Sequence, residues 1–136
     1  MVNSRKYRYH KDGTLPINKK EYIVVFGSNL AGRHGKGMAL IAKQLYGAEY
    51  GVGVGLTGRS YAIPTKDHYL KILSLPEIKH SINLFKDFSH NKPDLKFWVT
   101  GVGCGLAGFK NKEISVLFRD CNTNCVFPDT WMQYLE

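Results

Sequence analysis

The sequence predicts an α/β domain in which a mostly parallel sheet lies between helices. Two continuous apolar runs, 22–26 and 96–100, are rich in β-branched and aromatic residues, as is typical of strands buried on both faces. Segments with helical spacing of apolar residues alternate with such runs. Glycine-rich loops at 27–37 and 101–108 each leave a strand and lead into a helix.

The strands are defined by apolar runs that end at turn residues. In the order of the chain, the predicted strands are 22–26, a short strand within the glycine-rich region 51–58, 60–63, 96–100 and 124–128. Pro64 ends the third of these strands, because proline cannot donate to a sheet ladder.

The helices are defined by apolar residues at helical spacing in the segments 38–45, 75–88 and 114–121. Gly47 is a favourable end for the first helix. Ser74 and Glu77 fit a capping box at the start of the second. The 136 residues, 43% hydrophobic and 22% charged, fit one globular domain.

The charge is strongly positive and unevenly distributed. Nineteen Lys and Arg against eleven Asp and Glu give a formal charge of +8, which favours polyanionic partners. Residues 1–20 hold six of these cations and one acid, Asp12. We therefore expect a basic N-terminal arm at 1–20 and a single domain at 21–136. The arm is either a solvated segment or a contact for nucleic acid phosphates.

Several other classes of protein are disfavoured. No apolar run approaches a membrane span, and no apolar stretch follows the basic start as it would in a secretory signal. Three cysteines predict reduced thiols and a cytoplasmic protein. We expect no metal, because the histidines are scattered and Cys121 and Cys125 lack a second ligand pair. Gly37 stands where a Walker A loop needs a hydroxyl residue.

The two strand-end glycine loops are the candidate ligand site. Ligands of open α/β sheets bind beyond the carboxyl ends of the strands, and glycine lets backbone amides approach an anion. Two neighbouring loops of this kind can grip a diphosphate. Within the second loop, Cys104 is either a nucleophile activated by the surrounding amides or a small residue packed beneath a phosphate. Tyr7, Tyr9 and Phe109 are either structural residues, which is the favoured interpretation for each, or candidates for exposed stacking.

Three motifs resemble those of macro domains. The first is the loop Asn29–Ala39 with a helix that ends at Tyr46-Gly47, the second is Ala62-Ile-Pro-Thr-Lys66, and the third is Val102-Gly-Cys-Gly-Leu-Ala-Gly108. Their order is closest to the ADP-ribosyl glycohydrolase branch, which contains the DNA ADP-ribosyl glycohydrolase antitoxins and the terminal ADP-ribose protein glycohydrolase. The resemblance covers about 22–128, and small macro-like proteins of bacteriophages are also similar.

The resemblance implies a three-layer macro-like fold with an ADP-ribose pocket and no cofactor. Lys66 corresponds to the branch's catalytic lysine, with a plain phosphate contact as the alternative. The distal ribose would face Asn29, Gly35 and Gly37. The implied ligand-binding residues are Asn29, Gly32, Gly35, Lys36, Gly37, Gly103, Cys104, Gly105, Leu106, Ala107, Gly108 and Phe109.

Two departures from the family's pattern bear on mechanism. Ala107 stands where the protein-directed branch has an acid that assists release of the linked group, and Asp67 is the nearest substitute along the chain. Macro domains also carry an adenine-binding Asp after their first strand. Asp12 is the only aspartate before Tyr22, and no clear equivalent is visible there, so we expect this strand to be lost or remodelled.

Three functional hypotheses follow. The leading one is a hydrolase that removes ADP-ribose from nucleic acid or protein. The second is a non-catalytic reader or sponge for an ADP-ribose-type nucleotide, which would suit phage counter-defence. The third is a nucleic-acid-binding module that uses the basic arm.

Overall fold

The computed structural model describes residues 5–136 and confirms the predicted α/β class. Its strands are β1 (Arg8–His10), β2 (Ile23–Asn29), β3 (Gly55–Thr57), β4 (Ser60–Lys66), β5 (Phe97–Val99) and β6 (Cys125–Pro128). Its α-helices are α1 (Gly37–Leu45), α2 (Leu75–His90), α3 (Asn111–Ser115) and α4 (Met132–Leu135).

The strands form one mixed sheet in the order β1-β6-β5-β2-β4-β3. The neighbouring pairs are parallel except β3 and β4, which are antiparallel. The carboxyl ends of the five parallel strands therefore lie along the same edge of the sheet. Since β2 lies between β5 and β4, the two glycine-rich loops emerge side by side, as predicted.

Helices cover both faces of the sheet, which gives three layers. The side chains of β2 alternate between the faces: Val25 belongs to the large core cluster and Phe26 to the smaller one. The large cluster is aromatic and packs α2, α3 and α4 against the sheet around Phe85, Phe118 and Trp131. On the opposite face, α1 contributes alanines, whose small side chains let the helix approach closely.

Local sequence signals account for the helix ends. The Ser74 hydroxyl accepts a bond from the Glu77 amide, and the Glu77 carboxylate accepts one from the Ser74 amide, so the predicted capping box is confirmed. The last predicted helix, 114–121, begins and ends earlier than its apolar pattern indicated. It consists of α3 followed by a 3-10 helix at Val116–Phe118.

The expectation of a basic arm that ends at residue 20 is corrected by the sheet. Arg8–His10 is an edge strand that pairs with β6, so the domain includes part of 1–20. Glu136 fixes this strand from the other end of the chain: its carboxylate accepts bonds from the amides of Lys6 and Tyr7 and, at 2.6 Å, from the Tyr9 hydroxyl. Residues 1–4 of the predicted arm lie outside the described residues.

Tyr7, Tyr9 and Phe109 are not exposed stacking residues. All three are partly buried and pack against the large core cluster. The Tyr7 ring also meets Phe127 edge-on at 5.8 Å. Within residues 5–136, none of the helices has the length and apolar character that crossing a membrane requires.

Candidate functional site

A cavity of about 830 Å³ lies at the carboxyl edge of the sheet. This volume is typical of sites for small molecules or cofactors. Residues at or just beyond the ends of β1, β5, β2 and β4 line it. Adjacent strands are about 4.8 Å apart, so the four intervals separate β1 from β4 by roughly 19 Å, and residues at both of these strands line the cavity. Its shape suits an elongated ligand.

Nine of the predicted site residues line this cavity: Asn29, Gly35, Lys36, Gly37, Lys66, Gly103, Gly105, Leu106 and Ala107. Four others, Gly32, Cys104, Gly108 and Phe109, do not. The predicted site is thus brought together by the fold, although these four contribute to loop structure rather than to the wall.

Asn29 shapes the first loop from within. Its side-chain amide donates to the Arg33 carbonyl at 2.9 Å, and its side-chain oxygen accepts from the Arg33 amide at 2.9 Å. Both polar ends are therefore engaged in closing the loop, while the residue still lines the cavity. Asn29 therefore has a structural role in the loop, and its contact with a ribose stays a prediction.

Gly32 belongs to the anchor of the same loop. Its φ of +68° is in the left-handed region, and a Cβ at this position would lie 2.3 Å from the Gly51 carbonyl carbon. The Gly51 amide donates to the Gly32 carbonyl at 2.9 Å. Buried His34 reinforces this junction, with Nε2 3.0 Å from the Glu49 carbonyl oxygen. The close backbone approach explains glycine at position 32.

The two glycine-rich loops touch at their starts. A Cβ on Gly27, in β2, would lie 3.2 Å from the backbone nitrogen of Gly103. Gly103 has a φ of +74° and packs against Phe109 and Thr65. The cavity floor is therefore built from backbone, which leaves room for a ligand close to both loops.

A β-bulge places two consecutive residues of β4 at the cavity. Ser28 pairs with Pro64 but Asn29 pairs with Lys66, so Thr65 is the extra residue. Consecutive strand residues normally point to opposite faces, yet both Thr65 and Lys66 line the cavity. Bulges of this kind re-aim side chains and are common beside active sites. Lys66 is half-buried.

The cavity is electropositive. Arg33, Lys36 and Lys66 line it, against the single carboxylate of Asp12. Among the described residues the one ion pair is Lys96–Glu21, so none of these three cations is neutralised by a carboxylate there. Lys36 also precedes α1, whose first turn has no side-chain cap. Uncapped amides at a helix N-terminus favour an anion.

Sequence reasoning missed the wall that follows β1, which includes His10, Asp12, Thr14 and Leu15. The His10 ring stacks on Trp98 with centroids 4.1 Å apart. The Trp98 indole in turn donates to the Thr14 carbonyl at 3.0 Å. The one sequence signal was the turn at Asp12-Gly13. The other lining residues absent from the predicted set are Gly13, Gly27, Ser28, Arg33, Met38, Ala39, Ile41, Thr65, Leu70, Thr100 and Gly101.

Cys104 lacks the properties of an activated nucleophile. Burial is the largest cause that raises the pKa of its thiol, to about 11, and the charges of Asp12 and Glu113 raise it further. The thiol is therefore protonated at neutral pH. This excludes the amide-activated thiolate and supports the alternative of a small packed residue.

Asp67 does not substitute for the missing acid. Its carboxylate accepts bonds from the amides of Tyr69 and Lys71 at 2.8 and 3.0 Å, so it closes a turn. It does not line the cavity, whereas Ala107 does. Asp12 is thus the only carboxylate among the described residues of the wall, and it lies at the end opposite Lys66.

Within residues 5–136, no group of three His, Cys, Asp or Glu side chains is arranged to hold a metal ion. The comparisons with known proteins give no family: neither protein-family models, nor curated proteins, nor solved structures match the chain. The geometry of the cavity is therefore the basis for a functional proposal.

Proposed function

We propose that the cavity binds ADP-ribose or a related NAD-derived nucleotide and that the protein hydrolyses ADP-ribosyl linkages on nucleic acid or protein. One observation carries the proposal: the diphosphate cradle. The backbones of the two glycine-rich loops meet at Gly27 and Gly103, and the uncapped start of α1 opens beside them. Lysine and arginine side chains without carboxylate partners among the described residues complete the cradle.

The length of the cavity supports a ligand with groups on both sides of the diphosphate. Asp12 follows β1 at one end, and Lys66 ends β4 roughly 19 Å away along the sheet. The macro-domain resemblance assigns adenine to an acid after the first strand, and Asp12, which follows β1, is our candidate for that role. The distal ribose would then lie at Lys66.

The proposed reaction uses the Lys66 amine as nucleophile. After the ammonium loses a proton, Nζ attacks C1″ of the distal ribose. The bond from C1″ to the linked group breaks, and its electron pair and a proton pass to that group. The ribose ring opens to a Schiff base, which water hydrolyses to ADP-ribose and the free amine. The net change is addition of one water across the linkage.

Lys66→Ala tests the reaction, with Lys79→Ala as the matched control. Lys79 is an exposed lysine of α2 and does not line the cavity. With ADP-ribosylated oligonucleotide and protein as substrates, the Lys66 variant should lose turnover and retain measurable affinity for ADP-ribose. The Lys79 variant should match the parent in both. Turnover that survives in the Lys66 variant would refute the lysine mechanism.

The positions of the acidic residues favour a second candidate function, a non-catalytic reader of the same nucleotide. Ala107 offers no proton to a leaving group, the Asp67 carboxylate is occupied by its turn, and Asp12 lies at the far end. A reader would bind ADP-ribose tightly and cleave none of the linked substrates. A turnover assay across linkages separates the two candidates.

A further inference from the structure

The turn that follows Lys66 presents an exposed aromatic ring at the edge of the cavity. This rim turn comprises residues 67–72. Leu70 lines the cavity, whereas the neighbouring Tyr69 is 85% exposed. Such exposure is unusual for a tyrosine, whose ring is ordinarily at least partly buried.

The rim turn is held by a dense set of backbone bonds. The Asp67 amide donates to the Lys71 carbonyl at 2.8 Å, and the Leu70 amide donates to the Asp67 carbonyl at 3.1 Å. The Asp67 carboxylate binds two further amides of the turn, and Lys66 forms a β-bridge with Ile72. The Tyr69 ring is thus presented on a fixed backbone, so a ligand that contacts it meets a preorganised surface.

The backbone of Leu70 explains how the turn divides its side chains. Its φ is +65°, a conformation that is uncommon for residues other than glycine. In this conformation Leu70 contributes to the cavity wall, while Tyr69 remains outside it. Backbone outliers that the surrounding bonds hold in place often accompany functional sites.

The chemistry of the rim turn indicates what it contacts. His68 and Lys71 flank the ring and are exposed, and the one carboxylate of the turn is already bonded to backbone amides. A flat ring beside the Lys71 ammonium suits a nucleobase that carries phosphodiesters, since aromatic side chains stack on any base. It suits an aliphatic protein side chain less well.

We infer that Tyr69 is a specificity residue that stacks on a nucleobase of a single-stranded nucleic acid linked to the distal ribose. This inference rests on the proposed function, which places that ribose at Lys66. A group attached to C1″ would leave the cavity beside Lys66, and the rim turn begins at the next residue. Single strands are required because their bases are free to stack.

The test compares ligands in a Lys66→Ala background, which keeps linked ligands intact. The probes are free ADP-ribose, a single-stranded oligonucleotide with ADP-ribose on one base, the unmodified oligonucleotide and an ADP-ribosylated peptide. Tyr69→Ala should weaken binding of the modified oligonucleotide about 10-fold and leave that of free ADP-ribose within about twofold. Tyr69→Phe keeps the ring and should change neither.

Tyr50→Ala is the matched control. Tyr50 is also exposed, at 62%, but does not line the cavity or belong to the rim turn. The inference is overturned if Tyr69→Ala leaves the modified oligonucleotide unaffected, weakens free ADP-ribose equally, or acts on the peptide instead. If the parent protein does not bind ADP-ribose, the proposed function fails and this inference fails with it. Binding of ADP-ribose without any gain from the oligonucleotide overturns this inference alone.

Discussion

Alanine substitution at Gly32 should destabilise the fold, whereas the same substitution at Gly35 should leave its stability nearly unchanged. At Gly32, a Cβ would lie 2.3 Å from the Gly51 carbonyl carbon and 2.4 Å from the Val52 nitrogen. Both neighbours are backbone atoms, so no side-chain rotation relieves the overlap. A non-glycine residue also pays about 1–2 kcal/mol for the left-handed conformation, and overpacking adds about 1–3 kcal/mol.

Gly32→Ala should therefore destabilise the fold by about 2–5 kcal/mol. For a domain of this size, the melting temperature should fall by on the order of 10 °C. Chemical denaturation followed by circular dichroism measures the free energy of unfolding, and a thermal melt gives the second value. The slope of the free energy of unfolding against denaturant concentration should stay unchanged, because the folded state buries the same surface.

Gly35→Ala is the control for this prediction. A Cβ at Gly35 meets no atom within 4 Å, and its φ lies outside the left-handed region. Its stability should stay within about 1 kcal/mol of the parent. Because Gly35 lines the cavity, ADP-ribose affinity is where its effect should appear. A Gly32 variant that melts like the parent but has lost ADP-ribose binding would refute this account and restore Gly32 as a ligand contact.

Two further predictions concern titratable groups. Burial raises the pKa of Cys104 from 9.0 to about 11, so at pH 8 its thiolate fraction is about 100-fold lower than that of an ordinary thiol. Labelling of Cys104 by iodoacetamide, mapped by mass spectrometry, should therefore be slow, and its rate should rise steeply above pH 9. Labelling of Cys104 at the rate of a free thiol would contradict the buried assignment. The hydrogen bond from the Tyr9 hydroxyl is the largest cause that lowers the pKa of the Glu136 carboxylate from 4.5. The carboxylate therefore stabilises the fold above pH 4.5, and this stabilisation is lost as the pH falls through the folded-state pKa. Glu136→Gln should remove that part of the acid dependence of unfolding, and an unchanged pH profile would show that the carboxylate does not anchor β1.

The elements that the sequence predicted well are those with strong local signals. The apolar run that forms β2 is followed by a glycine-rich loop, and both features are visible within 16 residues. The capping box at Ser74 and Glu77 fixes the start of α2 in the same way. Because these two segments place β2 and order the fold around it, the carboxyl edge of the sheet could be predicted as the ligand site.

The missed first strand depends on contacts that are distant in the sequence. Arg8–His10 is short, carries a charged residue and lies at the sheet edge, so it lacks an apolar run. It is held by Glu136, which lies 130 residues after Lys6 in the sequence, and by stacking of His10 on Trp98. Local periodicity does not reveal such pairings, so it assigns Asp12 to an arm rather than to the cavity.

The finer assignments within the glycine loops also require the fold. Gly32 and Gly35 lie close together in the sequence, but the left-handed φ of Gly32 and its packing against Gly51 distinguish them. The bulge at Thr65 depends on how β4 pairs with β2. Without the bulge, consecutive side chains of β4 would point to opposite faces of the sheet, so either Thr65 or Lys66 would point away from the cavity.

Titration of the purified protein with ADP-ribose in a calorimeter, with AMP and NAD as controls, tests the central claim most directly. The cradle predicts saturable binding at one site with a micromolar Kd, about −8 kcal/mol, and weaker binding of AMP, which lacks the diphosphate and the distal ribose. Absence of heat together with an unchanged melting temperature would contradict an ADP-ribose pocket and shift the interpretation of the positive charge to nucleic acid binding.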